Sequence, residues 1–147
     1  ACTEAAAYSV GVSEEEVKLA RLLGEYIGIC FQIKDDIFDY FDSKEIGKPT
    51  GNDMLEGKLT LPVLYALNRA NDNQATEIAL KVKEGTATLA EIARLIAFTK
   101  ENGGIEYAVR TMNAYKQKAF GLLASLPDSA ICVALRSYLD YVVDREK

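Results

Sequence analysis

Apolar residues recur at intervals of three and four along most of the chain, and no stretch of strand length alternates convincingly, so the pattern predicts an all-α protein. The three prolines, Pro49, Pro62 and Pro127, fall near expected element ends or starts. Ser13-Glu14-Glu15-Glu16 reads as a capping box: the serine accepts from a first-turn amide, Glu16 reaches back, and the acids suit the helix dipole. It opens a helix over about residues 14 to 41, broken by a Gly/Pro loop at about 43 to 53. Further helices are expected over about residues 59 to 71, with Pro62 tolerated in the first turn, and about 74 to 84, closed by Gly85. A second capping box, Thr88-Leu89-Ala90-Glu91, opens a helix ended by Asn102-Gly103-Gly104, and two more follow over about 105 to 125 and 129 to 145. No internal repeat or low-complexity segment interrupts what reads as one helical domain over residues 1–147.

The first long helix carries the chemistry. At 100° per residue with Asp35 as zero, Asp39 lies at about 40°, Gln32 at about 60° and Asp36 at about 100°, one polar strip shared further back by Lys18, Arg21 and Glu25. Leu19, Leu23, Ile27, Cys30, Ile33, Ile37, Tyr40 and their neighbours fill an apolar arc of about 200°, wider than an ordinary surface helix, so most of this helix is expected to be buried. The strip could be a plain solvated face. Gly24 and Gly28 also fall on it, however, where each costs about 1 kcal/mol of helix propensity. That expense points to a packed neighbour or a cavity facing the strip. In an enclosed cleft, three carboxylates about 6 Å apart repel by about 3 kcal/mol per pair at an effective dielectric near 20. A cation would relieve this, and an all-oxygen site selects a hard ion such as Mg²⁺, completed by water and phosphate oxygens.

Two later runs support an anion partner. In Gly47-Lys48-Pro49-Thr50-Gly51-Asn52-Asp53, the glycines allow close backbone approach and Lys48 supplies a mobile charge, although an ordinary interhelical turn has the same composition. Glu56-Gly57-Lys58-Leu59-Thr60-Leu61-Pro62 adds Lys58, either a solvated residue before a helix or a phosphate contact.

Composition narrows the alternatives. With 147 residues, 49% of them apolar, a packed core is within reach. The net charge of -5 and the lack of a basic cluster interleaved with aromatics argue against nucleic acid. There is no histidine, which removes imidazole bases, Ser-His-Asp triads and His-ligated zinc. Cys2, Cys30 and Cys132 are odd in number and far apart, which suits reduced thiols in a cytoplasmic protein. No apolar run is long enough to span a bilayer. The opening Ala1-Cys2-Thr3-Glu4-Ala5-Ala6-Ala7 is already helical in composition and reads as a cut, not a beginning.

Taken in order, Gly24-Glu25-Tyr26-Ile27-Gly28, Phe31-Gln32, Asp35-Asp36-Ile37-Phe38-Asp39 and the two lysine runs resemble the second aspartate-rich motif and following segments of the trans-polyprenyl diphosphate synthase family. The resemblance implies the C-terminal part of an all-α isoprenoid synthase fold. It implies Mg²⁺-dependent condensation of isopentenyl diphosphate with an allylic prenyl diphosphate. Asp35, Asp36 and Asp39 would hold Mg²⁺ against the allylic diphosphate, and Lys48 would contact the same group. Phe31 and Gln32 would line the reaction centre, and a homodimer is expected. The family's first aspartate-rich motif, the arginine pair after it, and its Lys-Thr pair have no counterpart here. The chain is therefore expected to be the second half of such an enzyme and inactive alone. A non-catalytic subunit of a heteromeric synthase and a terpene cyclase are the competing expectations; Phe31-Gln32 and the lysine loop argue against the cyclase.

Overall fold

The computed structural model describes residues 1–41, 50–127 and 129–146, and every regular element among them is a helix. In order these are α1 (Cys2–Ser9), α2 (Glu14–Phe38), α3 (Asn52–Leu55), α4 (Leu61–Ala70), α5 (Asn73–Glu84), α6 (Leu89–Glu101), α7 (Gly104–Ala124) and α8 (Ala130–Asp144). They divide into two compact units, residues 1–34 with 111–146 and residues 35–110, with α2 and α7 contributing to both. Among the described residues no helix is long and apolar enough to cross a membrane.

Local chemistry sets most of the helix ends. Ser13 and Glu16 form the expected reciprocal pair, Ser13 N–H donating to Glu16 Oε2 at 2.9 Å and Glu16 N–H to Ser13 Oγ at 3.3 Å. Thr88 and Glu91 do the same for α6. Asp72 and Ser129 accept first-turn amides of α5 and α8, and Gly85 ends α5 in the left-handed region. One element was not anticipated: α3, four residues that interrupt the expected loop.

In the first unit, α1 crosses α2 closely at Gly24, where an added Cβ would collide with Thr3 Oγ1; Gly28, one turn on, faces open space. Cys30 Sγ–H donates to the Met112 carbonyl at 3.4 Å. The three cysteines are free, Cys30 and Cys132 buried and Cys2 exposed. Lys116 of α7 binds Asp140 at 2.8 Å and Asp144 at 3.6 Å, tying down the last turns of α8. Burial disfavours this ammonium, but the Asp140 hydrogen bond and the Asp144 and Asp140 charges outweigh it and raise its pKa.

The second unit is built on α6, which packs against α4 and α5, while α3 rests on α5. Tyr40, Met54, Val63, Ile78, Val82, Ile92, Leu95 and Ile96 form its core. Lys81 of α5 reaches Glu91 of α6 at 2.7 Å, so the α6 capping residue also carries the bridge between the two helices.

The expectation that most of the 14–41 helix is buried needs correction. Within α2, full burial is confined to Leu23, Cys30, Ile33, Asp36 and Ile37, and Phe31 remains 40% exposed. The helix also stops at Phe38. Tyr40 and Phe41 N–H turn to the carbonyls of Ile37 and Phe38, and the Asp39 carbonyl leaves the ladder to accept from Gly51.

Glu91 gives a test of the α5 to α6 tie. The Lys81 hydrogen bond, then the Thr88 backbone and hydroxyl donors, lower its pKa to about 2. A depressed carboxyl stabilises the fold above its ordinary value and loses that contribution as pH falls through its folded value. Glu91→Gln, which keeps the capping geometry, should therefore melt below the parent chain at neutral pH. The difference should shrink as pH falls from 4.5 towards about 2. Calorimetry across that window checks it, and a pH-independent difference would refute the charge pairing.

Candidate functional site

The acidic strip passes from solvent to cover along α2. Lys18, Arg21 and Glu25 are exposed and form a solvated face, as are Phe31 and Gln32 one turn before the carboxylates. Asp35 and Asp39 are half-buried, and Asp36, about 100° from Asp35, lies 8% exposed among the core residues.

Asp39 organises the turn that follows. Its carbonyl accepts Gly51 N–H at 2.9 Å. Its carboxylate oxygens take one amide each, Asn52 N–H on Oδ1 and Asp53 N–H on Oδ2, both at 3.0 Å. This return needs glycine at position 51 twice over. Its φ is +82°, and a Cβ there would lie 2.8 Å from Ile92 Cγ2 and 2.9 Å from Ile96 Cδ1 of α6. The α6 surface thus fixes where the turn sits.

The capped turn delivers a carboxyl that the helical strip does not contain. Asp53 is pushed above the usual carboxylate range by burial first, then by the charges of Asp39 and Asp36, with Lys58 opposing. Tyr40 senses the same carboxylates. Burial is the main cause of its raised pKa, and Asp39 and Asp36 add to it. The Tyr40 hydroxyl is buried without a well-formed hydrogen bond, facing the Thr60 side chain and the Val63 amide, which only partly offset that burial. Asp36, Asp39 and Asp53 therefore share one field. The sequence signal for Asp53 was its place two residues after Gly51 in the glycine-bounded run, but only the Asp39 hydrogen bonds bring it to the strip.

Lys58 holds an exposed ion pair with Glu56 at 2.6 Å, which raises its pKa, and its charge also reaches Asp53. Lys48 lies outside the described residues. Among the described residues no three carboxyl or thiol groups converge closely enough to hold an ion unaided. The donors are carboxylate oxygens, the type that a hard divalent cation takes together with water and phosphate. Asp39 keeps acceptor capacity beyond its two amides, since an ionised carboxylate offers about four lone-pair sites.

Two measurements test this geometry. Gly51→Ala should destabilise the chain by about 2 to 4 kcal/mol, combining left-handed strain with overpacking against Ile92 and Ile96, as read by urea denaturation. For Asp53, a raised pKa means that the ionised form is disfavoured in the fold, so its cost is present above the folded value and vanishes below the ordinary one. Asp53→Asn should therefore stabilise the ligand-free chain at neutral pH, with the gain fading below about pH 4. A gain that persists in acid would show that the carboxylate field is not its cause.

The residues 1–99 match the family model of polyprenyl synthetase. A heptaprenyl diphosphate synthase component 2 of Geobacillus stearothermophilus is 36% identical over 95% of this chain and 43% of its own length. The crystal structure of a geranylgeranyl pyrophosphate synthase from Bacteroides thetaiotaomicron matches 98% of this chain and 48% of its own, with TM-score 0.93 and 77% identity. That of a polyprenyl synthase from Caulobacter crescentus CB15, complexed with calcium and isoprenyl diphosphate, matches 97% of this chain and 44% of its own, with TM-score 0.80 and 31% identity. The chain thus spans less than half the length of these relatives, and it belongs to the polyprenyl synthetase family.

Proposed function

We propose that these residues carry the second carboxylate cluster of a prenyl-chain-elongating diphosphate synthase, part of one helical domain about twice this length. The observation that carries the reading is the Asp39-capped turn, which gathers Asp36, Asp39 and Asp53 into one field with Lys58 beside it. A relative solved with calcium and isoprenyl diphosphate supports a divalent cation and a diphosphate as ligands of the parent enzyme.

In this reading Asp35, Asp36 and Asp39 hold Mg²⁺ against the allylic diphosphate, and Lys48 and Lys58 bring positive charge to its oxygens. Bound Mg²⁺ supplies neutralisation of the charge that builds on the departing diphosphate. The allylic C–O bond breaks, the isopentenyl double bond forms the new C–C bond, and a proton is lost. Phe31 and Gln32 line this reaction centre. Asp39, held by two amides, keeps the cluster in place through the step.

The synthase is cytoplasmic and works as a homodimer, a state favoured by the exposed Ile131, Val133 and Tyr141 on α8. A second reading, a subunit of a two-component synthase, is favoured by the relative named as component 2. The relatives named as a heptaprenyl diphosphate synthase component and a geranylgeranyl pyrophosphate synthase favour both over a terpene cyclase.

Joint addition of Mg²⁺ and diphosphate to the chain should shift the carboxyl NMR signals of Asp35, Asp36 and Asp39 in the millimolar range, as expected for an ion that leans on phosphate. Movement only at remote residues would reject the site. The chain alone should form no product from isopentenyl diphosphate and a short allylic primer, because positioning and charge stabilisation both need the absent cluster. In the full-length synthase, Asp35→Ala should lower kcat by about 100-fold, and Lys48→Ala should raise KM for the allylic diphosphate. Unchanged kinetics for both would dismiss the proposal. Sedimentation of that enzyme as a monomer would dismiss the dimer, and activity only with a second polypeptide would establish the two-component reading.

A further inference from the structure

We propose that Arg145, just past the end of α8, is a positioning residue that clamps Phe31; the inference rests on the reading of Phe31 as part of the reaction centre. Phe31 is a large apolar side chain left 40% exposed on α2, so core packing alone does not set its ring. Arg145, 114 positions away in sequence, stands over that ring with its guanidinium carbon 4.1 Å from the centroid. The same guanidinium donates from Nη2 to the Phe31 carbonyl oxygen at 3.3 Å. A planar guanidinium can stack through its face while donating through its edge, and one arginine here does both to a single residue. A lysine ammonium is a compact charge without a planar face, so it cannot stack on the ring while holding the carbonyl in this geometry.

The clamp is itself held. Lys116 pins Asp140 and Asp144, so the last turn of α8 is fixed to α7 before the chain reaches Arg145. Arg145 then leaves the helix with φ -55° and ψ 138°, its N–H still bonded to the Tyr141 carbonyl. The arrangement sets an aromatic rotamer without burying the ring. It leaves the rest of the Phe31 surface for an apolar prenyl group, next to Gln32 and one turn before Asp35.

A double-mutant cycle in the full-length synthase tests it, with Arg145→Lys, Phe31→Leu and the pair. Coupled residues in contact are expected to be non-additive, so each single change should lower kcat by about tenfold and the double by little more than either. KM for the allylic diphosphate should stay within about twofold and Tm within a few degrees, a pattern that a purely structural tie would not give. In the 147-residue chain, the Arg145 side-chain protons should carry an upfield ring-current shift that Phe31→Leu abolishes. Full kcat in Arg145→Lys, or losses that multiply to about 100-fold in the double variant, would overturn the clamp while leaving Phe31 in the site. Full kcat in Phe31→Leu would instead remove Phe31 from the reaction centre, and the clamp's function with it.

Discussion

The two amide hydrogen bonds to the Asp39 carboxylate are the interaction on which the rest of the candidate site depends. An ionised acceptor taking backbone N–H donors in partly buried surroundings makes bonds of the stronger class, about 1.5 to 3 kcal/mol each. They join the end of α2 to a segment 13 and 14 residues later. Without them the first amides of α3 lose their acceptor, and Asp53 has no reason to lie beside Asp36. One residue thus serves as helix stop through its carbonyl, and as cap of the next element and member of the acidic cluster through its carboxylate.

That economy creates an electrostatic conflict. Three carboxyls and a buried phenol share a region in which, among the described residues, Lys58 opposes Asp53, and Lys58 is already paired with Glu56. Asp53 registers the conflict as a raised pKa, with burial the first cause and its acidic neighbours the next. A fold that pays such a penalty in the free state gains it back when a cation enters, because the repulsion turns into binding energy. In the proposed function the cluster is a weak cage by itself and would be completed by an ion that brings its own phosphate oxygens.

Packing supplies what electrostatics cannot. Gly51 can approach Ile92 and Ile96 only because it lacks a Cβ, and a Cβ on Gly104 would likewise collide with the Pro62 carbonyl and Thr99 Cγ2, so the starts of α4 and α7 lie close against the end of α6. With the Lys81 to Glu91 bridge, these contacts make α6 the reference surface of the second unit. In the first unit α1 locks onto α2 at Gly24 through Thr3, whereas Gly28 meets nothing. Of the two strip glycines, one is explained by packing, and the other leaves room on the face shared by Asp35 and Gln32.

The sequence by itself determined the all-α class, most helix boundaries, the acidic strip on α2 and the family. These depend on interactions within about four residues, the apolar period, the Ser13 and Thr88 capping boxes and the Gly85 stop, or on motif order along the chain. It overstated the burial of α2 because an apolar arc states what a helix can cover, not what is there to cover it. Only the tertiary structure decided that α2 stops at Phe38, that Asp39 turns to α3, that Asp53 joins the cluster and that Arg145 lies on Phe31. Each of these rests on a contact between residues 12 to 114 positions apart. No local period or propensity encodes such a contact; it exists only once the α6 surface and the Lys116 tie have set where the backbone runs.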